Sequence, residues 1–224
     1  MRSLILILSG FLMTVMFLSG CNNTKSTNQT VKVETADISK VVEPDSVEIL
    51  TLVRNMYKWY ETKSTKGEFF GQLRNPKDTV YSGIDWKANA NRIKEFVSTN
   101  FFANEFLDNY QRIARYIDSE LRQKQVQWIV GDMSPFDSDV NEWCNCQDYP
   151  DNYWSKITIT DLVIVRETAS FRWTWGDKIY YSVRAKKEQG AWKIAWLEGF
   201  DFTKYSDMNY ACRGLKDNPL YIVI

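Results

Sequence analysis

Apolar residues recur every three or four positions along three stretches in the first half of the chain, a period typical of amphipathic helices. The first stretch begins at Asp45, a favourable N-cap residue, and ends near Gly67. The second runs from about Lys87 to Val97, and the third from about Asn100 to Arg122 with Thr99 as its cap. The pattern therefore predicts three helices.

Apolar and polar residues alternate in the second half of the chain, which is the period of β-strands. A short strand is predicted at 127–130, and a longer one at 156–166 follows an acidic and aromatic loop at 131–155. A break in the alternation at Thr160-Asp161 indicates a bulge in the longer strand. Three further strands are expected between residues 171 and 196.

The pairing of these strands follows from which side chains must share a face. Placing Trp173 opposite Tyr181 collects the apolar side chains on one face, whereas a shift by one residue mixes the faces. By the same argument, Val183 is predicted to lie opposite Trp196. The result is an α+β fold in which three N-terminal helices pack on a curved antiparallel sheet.

The chain begins with the features of a secretory signal. Arg2 precedes an apolar run from Leu4 to Leu18, which is short for a spanning helix because crossing the hydrocarbon takes about 20 residues. The sequence Leu18-Ser19-Gly20-Cys21 resembles the lipobox of bacterial lipoproteins. This resemblance implies removal of residues 1–20, a diacylglycerol thioether on Cys21, and acylation of its new amino group, for instance with palmitate. The protein is thus expected to be held on a membrane by lipid.

The mature chain is expected to divide into a lipidated tether, residues 21–44, and a single domain, residues 45–224. Residues 22–44 contain no aromatic residue and no periodic apolar pattern, so they predict a flexible segment behind the lipidated cysteine. Asn22 stands where inner-membrane lipoproteins carry a retention aspartate. The resemblance therefore favours the outer membrane of a bacterial envelope over the inner membrane.

Three helices followed by a bent meander sheet resemble the cone-shaped nuclear-transport-factor-like, or cystatin-like, fold. The run Tyr57-Lys58-Trp59-Tyr60 at the end of the first helix, behind a lipoprotein signal, is similar to an uncharacterised bacterial lipoprotein family with that fold. The resemblance covers about residues 46–200. It implies a cone-shaped domain but supplies no catalytic residues.

The charge balance and the missing histidine narrow the possible functions. The chain has 28 basic and 28 acidic residues and no histidine. Balanced charge gives no electrostatic surface for nucleic acid, and the absence of histidine excludes histidine-based catalysis and histidine metal sites. No cofactor and no nucleic-acid partner is expected, and the membrane is a partner through the lipid anchor.

Five aromatic residues are candidates for a ligand pocket between the first helix and the sheet: Tyr60, Trp173, Tyr181, Trp192 and Trp196. Tyrosine and tryptophan offer a large face with a polar tip, which suits an apolar or sugar-like ligand. The same residues also fit as bulky core residues without any ligand. We therefore expect a non-enzymatic protein that binds a small ligand or an envelope partner.

Two other functions fit parts of the pattern. Asp161 interrupts an apolar strand, and inside a cone it would serve proton transfer beside a pocket tyrosine, as in an isomerase or hydratase. The loop 131–155 would instead be the contact surface of a protein-binding inhibitor or immunity protein. Its acidic residues follow part of a calcium-loop spacing, but Glu142 stands where the sharp turn needs glycine, so no metal site is predicted.

Three cysteines remain after lipidation of Cys21: Cys144, Cys146 and Cys212. In an oxidising compartment they predict one disulfide and one free thiol. Cys144 and Cys146 are too close in sequence for a relaxed mutual bridge. Cys212 is therefore predicted to pair with Cys144 or Cys146.

Overall fold

The structure, a computed structural model, describes residues 42–136 and 140–206. Its long elements are α1 (Val42–Thr62), α2 (Trp86–Thr99), α3 (Asn104–Arg122), β1 (Thr158–Val165), β2 (Thr168–Thr174), β3 (Tyr181–Glu188) and β4 (Ala191–Leu197). The predicted signal peptide 1–20, Cys21 with most of its tether, and Cys212 lie outside the described residues. Among the helices that the structure describes, none is both long and apolar enough to cross a membrane.

α1 begins at Val42, so Asp45 lies inside the helix rather than at the predicted cap. The Asp45 carboxylate accepts hydrogen bonds from Lys187 Nζ at 2.6 Å and from Trp192 Nε1 at 2.9 Å. The prediction of Asp45 as an N-cap is therefore wrong. Its side chain instead fastens the first turns of α1 to β3 and β4.

α2 and α3 also begin at residues that the pattern did not predict. Asp85 caps α2, and its carboxylate accepts hydrogen bonds from two backbone N–H groups of the first helical turn at 2.9 Å. Asn100, in a left-handed conformation with φ 59°, ends α2, and residues 101–103 then pass beside β4. Thr99 is the last residue of α2, so its predicted role as the cap of α3 is wrong.

The four strands form one antiparallel sheet in chain order, β1-β2-β3-β4. Trp173 pairs with Tyr181, so the predicted register of β2 and β3 is confirmed. The predicted bulge is confirmed as well, because the register of β1 shifts between Thr160 and Val163. α1 and α3 contact this sheet, which places the helices on its apolar face.

The predicted pairing of Val183 with Trp196 is wrong. A second register shift lies between Arg184 and Ala185, so Val183 pairs with Leu197 and Trp196 pairs with Arg184. A one-residue shift moves a side chain to the opposite face of a sheet. Trp196 therefore leaves the apolar face, and the Arg184 guanidinium lies 5.5 Å from the centre of its ring.

The sequence pattern predicts helices only before the sheet, and this prediction is wrong. Short 3-10 helices at Tyr153–Lys156 and Glu198–Phe200 flank the sheet, and residues 202–206 are also helical. The strand predicted at 127–130 is reduced to an isolated bridge between Val80 and Ile129. The described fold is thus a mixed α+β arrangement with helices before and after the four-stranded sheet.

The loop 131–155, predicted to be acidic and solvated, supplies large side chains to the core. Trp143 is completely buried: its ring stacks on Tyr60 with centroids 4.4 Å apart and meets Phe200 edge-on at 5.1 Å. Phe136 and Tyr153 are buried as well. The loop therefore folds back and fills the space between the helices and the sheet.

Candidate functional site

The predicted aromatic pocket between α1 and the sheet is filled. Trp173 and Tyr181 are buried, and Trp173 Nε1 donates a hydrogen bond to Tyr57 Oη at 3.1 Å. Tyr57 Oη donates in turn to the Trp143 carbonyl oxygen at 2.6 Å, and Tyr181 Oη donates to the Glu142 carbonyl oxygen. The hydroxyl and N–H groups of these side chains hold the loop in place, so they are not available to hydrogen-bond a ligand.

The other three predicted ligand-binding residues lie apart from one another. Trp192 is buried beside the first turns of α1, and Trp196 is half-buried on the outer face of the sheet. Tyr60 borders a separate surface groove. The structure therefore does not bring the five predicted residues together in one pocket.

Asp161 has φ 53° in the bulge of β1, and its side chain is 57% exposed. Its carboxylate accepts a hydrogen bond from Arg172 Nε at 2.7 Å. The left-handed bulge turns the side chain outward instead of into the core. An exposed, ion-paired carboxylate lacks the buried environment that the proton-transfer alternative requires.

Cys144 and Cys146 are bonded to each other, so the predicted bridge from Cys212 to either of them is wrong. Their Cα atoms lie 5.2 Å apart, a separation at which a disulfide closes readily. The residue between them, Asn145, has a left-handed conformation with φ 50° and turns the chain back on itself. This local turn brings the two thiols together.

A buried ion pair joins Glu68 to Arg92, whose side chains are 6% and 4% exposed. The Glu68 carboxylate accepts hydrogen bonds from Arg92 Nε at 3.1 Å, from Tyr110 Oη at 2.6 Å and from Trp143 Nε1 at 3.0 Å. Burial lowers the pKa of Arg92, but the charge and hydrogen bonds of Glu68 outweigh it and raise that pKa above its usual value. The Arg92 guanidinium therefore stays charged inside the protein, where it is paired with the Glu68 carboxylate.

The segment Gly67-Glu68-Phe69-Phe70-Gly71 makes a strained turn after α1. Phe69 has φ 51°, a conformation that costs a bulky residue roughly 1–3 kcal/mol. Its buried ring stacks on Tyr110 with centroids 4.5 Å apart, whereas Phe70 is exposed. The turn thus places Glu68 and Phe69 in the core and Phe70 at the surface.

Two glycines of this turn leave room for aromatic rings. A Cβ atom on Gly71 would lie 2.4 Å from the Tyr81 ring, and one on Gly67 would lie 2.9 Å from the Phe70 ring. Tyr81 packs in turn against Trp128, with ring centroids 4.6 Å apart. The Tyr81 and Phe70 rings can therefore occupy these positions only because glycine has no side chain.

These rings border a groove of about 370 Å³, called the acidic groove below. Its aromatic and acidic lining residues are Tyr60, Phe70, Tyr81, Trp128, Glu68, Asp132 and Glu142. Among the described residues that line it, none is basic. The acidic groove thus combines aromatic faces with hydrogen-bond acceptors.

Tyr60 is the one predicted ligand-binding residue that borders the acidic groove. Burial raises the pKa of its hydroxyl above the usual value, although a hydrogen bond from Asn141 Nδ2 at 3.3 Å opposes the shift. The hydroxyl therefore keeps its proton at neutral pH and remains a hydrogen-bond donor.

Comparisons of this chain with protein-family models, with curated proteins and with solved structures find no match. Within residues 42–136 and 140–206, no group of three or more cysteine or acidic side chains is placed to hold a metal ion. The geometry of the acidic groove is therefore the basis for a functional proposal.

Four residues of the acidic groove are not predicted as site residues by the sequence pattern: Glu68, Phe70, Tyr81 and Trp128. A signal for the first two was present, because two glycines bracket a glutamate and two phenylalanines directly after a helix. Glycines at such spacing mark a backbone that something else approaches closely. Tyr81 and Trp128 meet only through the tertiary fold, and the sequence held no sign of their contact.

Proposed function

We propose that the protein is a lipid-anchored protein of a bacterial envelope that binds a small, uncharged, sugar-like ligand in the acidic groove. The observation that carries the proposal is the seating of the Tyr81 ring on Gly71, beside Trp128. A glycine that leaves room for an aromatic ring at a groove wall fixes that ring in place. A fixed ring binds a ligand with little loss of conformational entropy.

The lining of the acidic groove favours a sugar-like ligand. Aromatic rings offer flat faces to the C–H side of a sugar ring, and carboxylates such as Asp132 accept hydrogen bonds from hydroxyl groups. Its volume of about 370 Å³ lies in the range of small-molecule sites. The acidic lining also disfavours an anionic ligand, since like charges repel.

We propose binding rather than catalysis because the Glu68 carboxylate, which lines the acidic groove, already accepts hydrogen bonds at both of its oxygens. Both oxygens of Glu68 already accept hydrogen bonds, from Arg92, Tyr110 and Trp143. A carboxylate in this state has no lone pair directed at a substrate proton. The isomerase alternative is also not carried forward, since Asp161 faces solvent.

We also propose that Cys21 carries the lipid anchor and that the domain has the cone-shaped fold. The sequence Leu18-Ser19-Gly20-Cys21 supports lipid attachment at Cys21, and Asn22 supports the outer membrane. Three long helices ahead of a bent antiparallel sheet support a cone-shaped, nuclear-transport-factor-like fold, with Trp143 inside the cone. A protein partner at the loop 131–155 has less support, because that loop is drawn into the core.

The test is ligand binding by the full-length protein in neutral detergent, measured by saturation-transfer NMR. The probes are glucose, galactose, N-acetylglucosamine and their disaccharides. The variants are Trp128→Ala, which removes a wall of the groove, and Gly71→Ala, which displaces the Tyr81 ring. Tyr180→Ala is the matched control, because Tyr180 is an exposed aromatic residue remote from the groove lining.

We expect at least one probe to bind the parent protein and the Tyr180→Ala control equally. Binding should weaken about tenfold in Trp128→Ala and Gly71→Ala, since a lost aromatic contact is worth up to about 1.5 kcal/mol and 1.4 kcal/mol is a factor of about ten. Thermal melts show whether each variant is folded. Binding that survives in both groove variants, or no binding of any probe, would overturn the sugar-like assignment.

A further inference from the structure

A second groove, of about 660 Å³, is also lined by Tyr81 and is called the basic groove. Its rim carries four basic side chains: Arg74, Lys77, Arg122 and Lys124. One carboxylate, Asp78, also lines it, and that carboxylate already accepts a hydrogen bond from the Asn75 N–H at 3.0 Å. The two grooves share Tyr81 as a wall but have opposite charge.

Arg122 is held in position at the end of α3. Its Nε donates a hydrogen bond to Asp118 Oδ2 at 2.7 Å, while Asp118 Oδ1 accepts the N–H of Ile84 at 2.9 Å. Burial raises the pKa of Asp118, but the hydrogen bonds from Arg122 and Ile84 outweigh it and bring the pKa below its usual value. Asp118 therefore stays charged and fixes the guanidinium by one edge.

The rest of the Arg122 guanidinium is available to a ligand. No described residue accepts a hydrogen bond from its Nη atoms, and no described acidic side chain pairs with Arg74 or Lys77. Gly83 lies behind this arrangement, where a Cβ atom would be 2.5 Å from Asp118 Oδ1. A positioned arginine with free N–H groups, flanked by two unpaired cations, is suited to bidentate recognition of an oxyanion.

The floor of the basic groove is apolar. Leu121 and Val126 are buried beneath it, and Val80 and the Tyr81 ring complete the lining between the basic side chains. If only an inorganic ion were bound, this apolar surface would remain exposed to water. A ligand that joins a phosphate to a carbon framework covers the apolar floor and pairs with the rim.

We propose that the basic groove binds an organic phosphate, with the phosphate held between Lys77 and Arg122. Arg74, Lys77 and Arg122 around one groove favour a group that carries more than one negative charge, and a phosphate monoester does so at neutral pH. The monoester is supplied either by a free phosphorylated molecule or by phosphatidic acid, the phospholipid whose headgroup is itself a phosphate monoester. This inference concerns a different groove from the sugar-like ligand and stands without it.

The test uses the full-length protein in bicelles of phosphatidylcholine and follows its backbone amide signals by NMR. One arm adds inorganic phosphate and glycerol 3-phosphate, and the other replaces part of the phosphatidylcholine with phosphatidic acid. The variants are Lys77→Gln and the double variant Lys77→Gln with Arg122→Gln. Arg115→Gln is the matched control, because Arg115 is an exposed arginine on the same helix and does not line the basic groove.

We expect saturable shifts in the signals of residues 79–82 and 121–127, the segments that line the basic groove. Binding should weaken about tenfold or more in the double variant, since hydrogen bonds to charged groups contribute roughly 1.5–3 kcal/mol each. Lys77→Gln, an exposed substitution that does not disturb folding, should weaken it by a smaller factor, and Arg115→Gln should leave it unchanged.

The two arms distinguish the source of the phosphate. Shifts with glycerol 3-phosphate support a free ligand, and shifts with phosphatidic acid alone support a lipid headgroup. The absence of shifts in both arms overturns the proposal. Equal weakening in Arg115→Gln and Lys77→Gln also overturns it, because net charge rather than the basic groove would then govern binding.

Discussion

Gly199 lies where two chain segments of the described core approach each other closely. A Cβ atom there would be 1.8 Å from the Glu142 carbonyl oxygen. The Gly199 N–H also donates a hydrogen bond at 2.7 Å to Tyr181 Oη, which itself donates to that carbonyl oxygen. One residue thus joins the end of the sheet to the loop that fills the core.

Gly199→Ala should therefore destabilise the protein strongly. The added methyl group must separate the two segments and break the Tyr181 hydrogen bonds, so we expect a loss of about 3 kcal/mol in the free energy of unfolding. Urea denaturation measures it. Gly190→Ala is the control: it has φ 80° and open space around it, so strain alone should cost about 1 kcal/mol. Equal losses would contradict the role of the close approach.

The buried pair of Glu68 and Arg92 gives a second prediction at the scale of single residues. Arg92→Met leaves the Glu68 charge buried and unpaired, so we expect a loss of roughly 3–5 kcal/mol in the free energy of unfolding. The double variant Glu68→Leu with Arg92→Met removes both charges. It should be more stable than Arg92→Met alone, because no uncompensated charge remains. Independent, additive losses in a double-mutant cycle would show that the two side chains are not coupled.

At the scale of elements, the two faces of the sheet separate two tryptophans that the sequence placed together. Trp173 is 1% exposed, and its Nε1 is bonded to Tyr57, whereas Trp196 lies on the outer face beside Arg184. Trp173→Ala should cost roughly 3–5 kcal/mol, and Trp196→Ala about 1 kcal/mol or less. Thermal melts of the two variants measure the difference. Equal large losses would mean that Trp196 is also a core residue.

The loop that carries Trp143 is held by contacts of unequal strength. The Cys144–Cys146 bridge closes a very short loop, so chain entropy gives it only about 1.5 kcal/mol, whereas Trp143→Ala should cost roughly 3–5 kcal/mol. Urea denaturation of Trp143→Ala and of the Cys144→Ser, Cys146→Ser double variant compares the two. Peptide mass mapping should find Cys144 and Cys146 in one oxidised peptide. A peptide that links either of them to Cys212 would contradict this pairing.

The register of β2 and β3 was predictable because only one alignment puts Trp173, Tyr181 and their neighbours on a single apolar face. The bulge at Asp161 was predictable for the same reason, since it breaks the alternation. The second register shift, between Arg184 and Ala185, does not break the alternation of apolar and polar residues in the sequence. Trp196 is aromatic on either face, and the alternation alone could not decide between them.

Most of the acidic groove could not be predicted from the sequence, because its lining residues and their hydrogen-bond partners are far apart in the chain. Glu68 and Arg92 are separated by 24 positions, and Glu68 and Trp143 by 75. No periodic pattern relates such residues, and a charged residue is ordinarily expected at the surface. The prediction of a solvated loop at 131–155 is wrong for a related reason: its acidic residues indicate a surface loop, although three of its large aromatic side chains enter the core.

At the scale of the whole molecule, charge offers little attraction to a membrane. The chain carries 28 basic and 28 acidic residues, and removal of residues 1–20 takes away only Arg2 among them. A nearly neutral protein of this kind is not held on an anionic bilayer by electrostatics alone. The basic groove is a local exception, and it acts on a phosphate at close range. If the protein is attached to a membrane, as proposed, the attachment has to come from lipid.

Lipid attachment at Cys21 is the last prediction. The parent protein expressed in a bacterium should stay with the membrane fraction in 1 M salt, where the screening length is only about 3 Å, because acyl chains do not respond to salt. Neutral detergent should release it, and mass spectrometry of the N-terminal peptide should find an acylated Cys21. Cys21→Ser should leave the uncleaved precursor, whereas the neighbouring change Asn22→Ser should not affect processing. Release of the parent protein by salt, or a mature N-terminus at another residue, would show that the lipobox resemblance is misleading.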